Sequence, residues 1–289
     1  MSDSSPGQQL RDVVEEQIIQ VPGVPNALVG RLAEDAGYGA LYLSGAALSA
    51  GVLAVPDVGL FSREELVQQA NYITRRVEVP LIVDADTGFG GPQEVAETVR
   101  ALEAVSVAAV QLEDQVQDKR CGHLSGKSLI GRDEMCEKIN AAVTAKTDPS
   151  MVIIARTDAR GVTDLDDALD RARAYVEAGA DWVFPESLRS REEFVRFFDE
   201  VDVPLVANMT EFGKSPLLSL DALAEIGYAA VLYPVTLLRI AMKAMEAALE
   251  VIGDDGSQSS LLDLMQTRGE LYELIDYQDF DPEDREHFS

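Results

Sequence analysis

Nine consecutive residues, Lys119 to Lys127 in the order KRCGHLSGK, gather chemistry that the rest of the chain uses sparingly. Cys121, one of two cysteines, stands two residues from His123, one of two histidines, with Lys119 and Arg120 directly upstream. This happens in a chain of 51 acidic and only 24 basic residues. Reactive thiols sit in accessible, electropositive surroundings, whereas structural thiols are usually buried among apolar groups. Cys136, in DEMCEKI, has no such setting and reads as a packing residue.

A second set of residues is acidic. In VDADTGFG, Asp84 and Asp86 are two positions apart, the spacing that places side chains on one side of a strand. With Glu113 of QLED they make an oxygen-rich group suited to Mg2+, which takes one or two carboxylates and keeps several waters. Zinc would call for histidine or cysteine, and only Cys121 and His123 are near enough in sequence to offer them. The alternative is that the paired aspartates cap a rim and hold arginines. Arg156, in ARTDA, suits a bidentate clamp on a substrate carboxylate, with Asn208 and Thr210 as neutral donors. A structural salt bridge is its plainer alternative.

These residues share a position in the pattern. Eight short apolar runs, QIIQV, ALYLS, PLIVDAD, AAVQLED, MVIIART, DWVFPE, PLVANMT and AAVLYP, alternate with amphipathic helical stretches. That alternation indicates a parallel sheet covered by helices on both faces. Eight units in 289 residues suit an α/β fold of the (β/α)8 TIM-barrel type better than an open doubly wound sheet, and no Gly-x-Gly-x-x-Gly follows the first strand. One barrel domain over residues 1–289 is expected, with a C-terminal helical extension from 257 to 289. Barrel chemistry gathers where strands end, and here they end on Tyr42 and Ser44, Asp84 and Asp86, Glu113 and Asp114, Arg156 and Asp158, Glu186, and Asn208 and Thr210. The loop from Asp114 to Arg132, about seventeen residues, is long for such a connection and reads as an active-site lid with Gly122 and Gly126 as hinges.

Composition closes other classes. A net charge of −27 at pH 7 argues against nucleic acid, which needs clustered cations. The uncharged stretch from Gly37 to Pro56 is about as long as a membrane span, but its glycines and serines fit a buried strand followed by a glycine-rich loop. Two cysteines provide no disulfide framework, and no signal-peptide pattern opens the chain, so a reducing cytoplasm is expected.

The combination of KRCGHLSGK, VDADTGFG, QLEDQV and ARTDA resembles the isocitrate lyase and phosphoenolpyruvate mutase superfamily, and more closely its 2-methylisocitrate lyases. The likeness runs from SPGQQLRDVV to MQTRGELYE, nearly the whole chain. It implies a (β/α)8 barrel whose last helix is swapped between subunits, a homotetramer built as a dimer of dimers, and Mg2+ (or Mn2+) as cofactor. It implies cleavage of a small tricarboxylate, 2-methylisocitrate, to pyruvate and succinate in the methylcitrate cycle of propionate catabolism. Carried over by position, Asp84 and Asp86 hold the metal with Glu113 beside them and Asp57 nearby. Ser44, Gly45, Ala46, Gly122, Arg156, Glu186, Asn208, Thr210, Arg239 and Arg268 form the substrate shell. Cys121 is the proton donor to the departing fragment, Tyr42 the base, and His123 or Glu186 returns the proton. The family's SGGG is SGAA here, and small side chains at that point leave room for an extra methyl group. One methyl group is worth only about 1–3 kcal/mol of discrimination, so isocitrate and 2,3-dimethylmalate are the neighbouring substrates. The rival class is a barrel that keeps the polycarboxylate site for binding alone; the retained cysteine and paired aspartates weigh against it.

Acidic excess with scarce lysine also suggests adaptation to high salt, where self-repulsion is screened. Thermal unfolding followed against KCl should show stability rising towards molar salt; full folding and activity without salt, and no gain on adding it, would refute that adaptation.

Overall fold

The computed structural model describes residues 4–117, 119 and 126–277. Cys121, Gly122 and His123 lie outside the described residues. The chain begins with α1 (Pro6–Glu16), β1 (Ile19–Pro22), α2 (Ala27–Asp35), β2 (Leu41–Leu43), α3 (Gly45–Gly51) and α4 (Arg63–Thr74). It continues through β3 (Leu81–Asp84), α5 (Pro92–Glu103), β4 (Ala109–Glu113), α6 (Arg132–Ala145), β5 (Val152–Thr157), α7 (Ala159–Val162) and α8 (Leu165–Glu177). Then come β6 (Trp182–Pro185), α9 (Arg191–Glu200), β7 (Val206–Asn208), α10 (Leu220–Ile226), β8 (Ala230–Tyr233), α11 (Thr236–Asp255) and, after a short 3-10 turn, α12 (Arg268–Leu274). Each of the eight apolar runs contains one strand.

All strand pairs are parallel, in two arcs ordered β1-β8-β7 and β2-β3-β4-β5-β6. Two isolated parallel bridges, Gly23 to Tyr42 and Val183 to Leu205, join the arcs and close the barrel. Gly23 is required at the first seam, because a Cβ there would lie 2.0 Å from the Pro234 carbonyl oxygen.

Strand alternation divides the core into layers. Ile19, Val21, Tyr42, Ile82, Ile154, Trp182, Phe184, Val206 and Leu232 fill the barrel interior, with Leu10 of α1 packed against them. The intervening strand residues face the helices, in one group around Leu41, Val83, Val110 and Ile153 and another around Val183, Leu205, Ala207 and Val231. The inward columns then run from apolar to polar along each strand: Ile82 then Asp84, Ala109 then Gln111 and Glu113, Ile154 then Arg156, Val206 then Asn208. This places the site at one end of the barrel. At the other end α1, unanticipated from the sequence, is tied down by Arg11, whose Nε donates to the Ser150 carbonyl (2.8 Å) and whose Nη2 meets Asp181 (2.6 Å).

Two expectations are revised. The Gly37 to Pro56 stretch is a strand followed by α3, a helix rather than a glycine-rich loop, started by Ser44. Asp86 lies beyond β3 in the left-handed region (φ 49°), so a turn, not strand alternation, brings it to Asp84's side. Cys136 is a packing residue as expected, with Sγ 3.6 Å from the Ala174 carbonyl. Among the described residues no helix is long and apolar enough to cross a membrane.

The eighth helix of the barrel pattern, α11, has no buried residue along its 20-residue length. Met242, Met245, Leu249 and Ile252 follow a three- and four-residue spacing down one side and are 46–69% exposed, the pattern of a helix that packs on something. The chain then returns, because Arg31 of α2 donates to the Leu274 carbonyl of α12 (3.2 Å) and Leu274 is buried.

Candidate active site

The polar strand ends surround one cavity, lined by Tyr42, Ser44, Ala46, Asp57, Asp84, Lys119, Arg156, Glu186, Asn208, Thr210 and Arg239, with Phe184, Leu232, Pro234 and Val235 as its apolar wall. Gly45 adjoins it through Asp84. Arg268 does not line it: the residue is exposed at the start of α12, where Thr267 and Glu270 form a capping box.

Asp84 is fixed by three donors. Its Oδ2 accepts from Gly45 N (3.1 Å), and its Oδ1 accepts from Asp86 N (3.1 Å) and Gln111 Nε2 (2.9 Å). A Cβ on Gly45 would stand 2.7 Å from Asp86 Oδ1 and 3.3 Å from Asp84 Oδ2, so the two carboxylates crowd one small space and glycine is what leaves it open. Lys119 enters from the other side, with Nζ 2.5 Å from Asp86 Oδ1 and 2.6 Å from Asp57 Oδ1. That Asp57 oxygen has no hydrogen-bond donor among the described residues beyond this ionic contact. Burial pushes the Asp86 carboxyl up to about 7; Lys119 pulls it down, and Asp84 and Asp57 raise it further.

The donor set therefore fits a hard divalent cation. It is all carboxylate oxygen, it has unused acceptor capacity at Asp57, and at Asp86 burial disfavours ionisation until a cation relieves it. Among the described residues no group of three or more acidic, histidine or cysteine side chains is arranged to hold a metal ion by itself. Glu113 stands between this cluster and Arg156, within electrostatic reach of Lys119 and Asp86, with Oε2 3.4 Å from Arg156 Nη1 and Oε1 accepting from Gln115 Nε2 (3.0 Å).

Arg156 dominates the end of β5, two strands along from Asp84. Its Nε donates to Asp158 Oδ2 (2.9 Å), its Nη2 lies 3.6 Å from Glu186 Oε2, and its guanidinium packs over the Phe184 ring at 5.2 Å. Glu186 is held by Asn208 Nδ2 (3.0 Å) and by Ser187 N (2.9 Å), and Asn208 Oδ1 accepts from Thr210 N (3.1 Å). Arg239 is half-exposed at the rim, with Nη1 2.8 Å from Glu211 Oε2.

Tyr42, expected as the base, is buried beside Gln111. Its hydroxyl donates to Gln111 Oε1 at 2.6 Å, and burial, followed by the charge on Asp84, pushes its pKa well above the ordinary phenol value. Its arrangement is that of a donor. Gln111, fully buried, is the residue that sequence reading missed: its amide links Tyr42 to Asp84. The available signal was its inward position two residues before Glu113 on an otherwise apolar strand.

A (β/α)8 barrel with carboxylates and an arginine gathered around one cavity at its C-terminal mouth defines a class of acid-handling enzymes. The chain belongs to the phosphoenolpyruvate phosphomutase family, whose model matches residues 10–252. It is 52% identical over 282 residues to a 2-methylisocitrate lyase of Aeropyrum pernix, a match covering 97% of this chain and 91% of that one. Among solved structures, 2,3-dimethylmalate lyase, a member of the PEP mutase/isocitrate lyase superfamily, superposes with a TM-score of 0.91 at 35% identity, covering 99% of this chain and 96% of that one. Phosphonopyruvate hydrolase, in complex with oxalate and Mg2+, superposes with a TM-score of 0.88 at 29% identity, covering 99% of this chain and 100% of that one.

The Asp86 carboxyl gives the site a pH dependence of definite sign. Its protonated form competes with a cation below about pH 7, and metal ligands must be deprotonated to bind. Thermal-shift titration with MgCl2 should give an apparent affinity at pH 8 about tenfold or more above that at pH 5.5. Equal affinities at the two pH values would show that Asp86 takes no part.

Proposed function

We propose that this chain is a Mg2+-dependent carbon–carbon lyase that cleaves 2-methylisocitrate to pyruvate and succinate, a step of propionate catabolism by the methylcitrate cycle. The observation that carries this reading is the division of one cavity into a carboxylate cluster on one side and the Arg156 guanidinium on the other. A substrate bearing a hydroxyl next to one carboxylate, and further carboxylates beyond it, spans that division. The likeness to the 2-methylisocitrate lyase of Aeropyrum pernix supports the substrate, and the Mg2+ complex of phosphonopyruvate hydrolase supports the metal.

Mg2+, or Mn2+ in its place, would be held by Asp84 and Asp86 with Asp57 beside them, and supplies a Lewis acid that lowers the pKa of the substrate's 2-hydroxyl. Arg156 clamps a carboxylate, Asn208 and Thr210 offer neutral donors, and Ser44, Gly45 and Ala46 shape the end of the cavity nearest the carboxylate pair. Tyr42, through its hydroxyl bond to Gln111, helps to hold the amide that fixes Asp84. The hydroxyl proton passes to a buried carboxylate, for which Glu186 is placed in the cavity wall. As the bond between C2 and C3 breaks, its electron pair goes to the carbon that becomes part of succinate, and the C2 oxygen becomes the keto oxygen of pyruvate. Cys121 then protonates the succinate carbon, and His123 assists in restoring that proton. The apolar wall of Phe184, Leu232, Pro234 and Val235, with Ala46, leaves room for the methyl group that separates this substrate from isocitrate.

The protein acts in the cytoplasm as a homotetramer, one barrel domain with a helical extension per subunit. Its exposed α11 is the element that packs across a subunit boundary, because four large apolar side chains in one line otherwise face water.

Purified protein with Mg2+ in high salt, offered 2-methylisocitrate and isocitrate in parallel, should release pyruvate from the first far faster than glyoxylate from the second. Asp86→Ala should cut turnover by at least about 10²-fold; glyoxylate as the main product, or full activity in that variant, would overturn the reading. Replacing Met245 and Leu249 together with Glu should reduce the mass measured by light scattering in high salt, and an unchanged mass would remove α11 from the interface.

A further inference from the structure

Asp158, the residue that follows β5 and starts α7, takes hydrogen bonds from two different cations. Arg156 donates to it through Nε (2.9 Å to Oδ2) and Nη2 (3.2 Å to Oδ1), and Lys127 Nζ lies 2.5 Å from Oδ1. The burial is nearly complete: the Lys127 side chain is 1% exposed and that of Asp158 is 0% exposed. Asp158 cannot easily turn away, because its backbone N donates to Asp114 Oδ1 (2.8 Å). Asp114 is in turn fixed through Oδ2 by Thr157 Oγ1 (2.8 Å), the Tyr175 hydroxyl (2.8 Å) and Arg171 Nη1 (3.3 Å).

The arrangement raises a question of charge balance. Arg156 also faces Glu113 at 3.4 Å and Glu186 at 3.6 Å, so one guanidinium stands among three buried carboxylates. Left alone with them, it would have little positive charge free to attract an anionic substrate. We propose that Lys127 is a positioning residue for the reaction: it takes up the charge of Asp158 and so leaves Arg156 oriented and electrostatically free to receive a substrate carboxylate. This rests on the reading of Arg156 as the carboxylate clamp.

The ammonium has a berth built for it. A Cβ on Gly161, in α7, would lie 3.0 Å from Lys127 Nζ, 3.4 Å from its Cε and 3.7 Å from Ser187 Cβ. Gly161 has no unusual backbone angle that would demand glycine. What the missing side chain provides is space for the end of the lysine, so Gly161→Ala pushes the ammonium by a few tenths of an ångström while leaving every charge in place.

The test is steady-state kinetics of the Mg2+-loaded full-length enzyme with 2-methylisocitrate, with folding followed by circular dichroism. Lys127→Gln should raise KM about tenfold or more with kcat changed far less, the sign of lost substrate binding rather than lost chemistry. Gly161→Ala should raise KM in the same direction by a smaller factor, and it carries the test alone if Lys127→Gln fails to fold. Unchanged KM in Lys127→Gln and Gly161→Ala would overturn the proposal. Arg156→Lys separates the two layers: a raised KM there, with unaffected Lys127 and Gly161 variants, rejects this inference alone, whereas an unchanged KM in Arg156→Lys rejects the clamp itself.

Discussion

Six carboxylates, those of Asp84, Asp86, Glu113, Asp114, Asp158 and Glu186, are each at most 4% exposed at the mouth of one barrel. A carboxylate held out of water needs donors or cations around it, and the way that need is met differs from one side of the mouth to the other. Arg156, Lys127 and Arg171 stand against Glu113, Asp158, Glu186 and Asp114. Against Asp84 and Asp86 there is no arginine contact among the described residues, only Lys119 and neutral donors. The first side is already compensated and keeps a guanidinium facing the cavity. The second keeps carboxylate oxygens, with the ionisation of Asp86 resisted by its burial, which favours a small cation of high charge. The two ends of a hydroxy-polycarboxylate are matched by this one asymmetry.

Much of this was legible in the sequence because barrel strands obey a simple rule: inward positions alternate and strand ends are polar. Asp84, Arg156, Asn208 and the apolar inward residues before them follow directly from it. What escaped was set by features without a period. The left-handed turn that brings Asp86 beside Asp84 depends on one backbone angle, and α3 and α7 are short helices of seven and four residues that follow strands directly. Gln111 escaped because a single amide in an apolar strand looks like an exception rather than a link between two functional groups. Arg268 was placed by resemblance; it is exposed at the start of α12, whose other end meets α2, and it does not line the cavity.

The glycines of the site show the same logic of space rather than flexibility. Gly45 leaves room for two carboxylate oxygens, and Gly161 for an ammonium. Neither has a positive φ, so each is needed for what stands next to it. Such positions tie local sequence to function more tightly than a loop glycine does, because any added side chain displaces a charged group rather than merely straining the backbone.

The overall charge of the chain bears on how the site meets its substrate. A protein with a formal charge of −27 repels a polycarboxylate at long range, so attraction must come from the groups the substrate touches. Molar salt shortens the Debye length to about 3 Å, which suppresses the long-range repulsion while sparing contacts inside a buried cavity. Under those conditions the few cations inside the mouth outweigh the many acids outside it. The scarcity of lysine on the surface and the burial of Lys119 and Lys127 within the site are then two consequences of one constraint. An acidic surface remains compatible with an anionic substrate only where cations are concentrated at the point of contact.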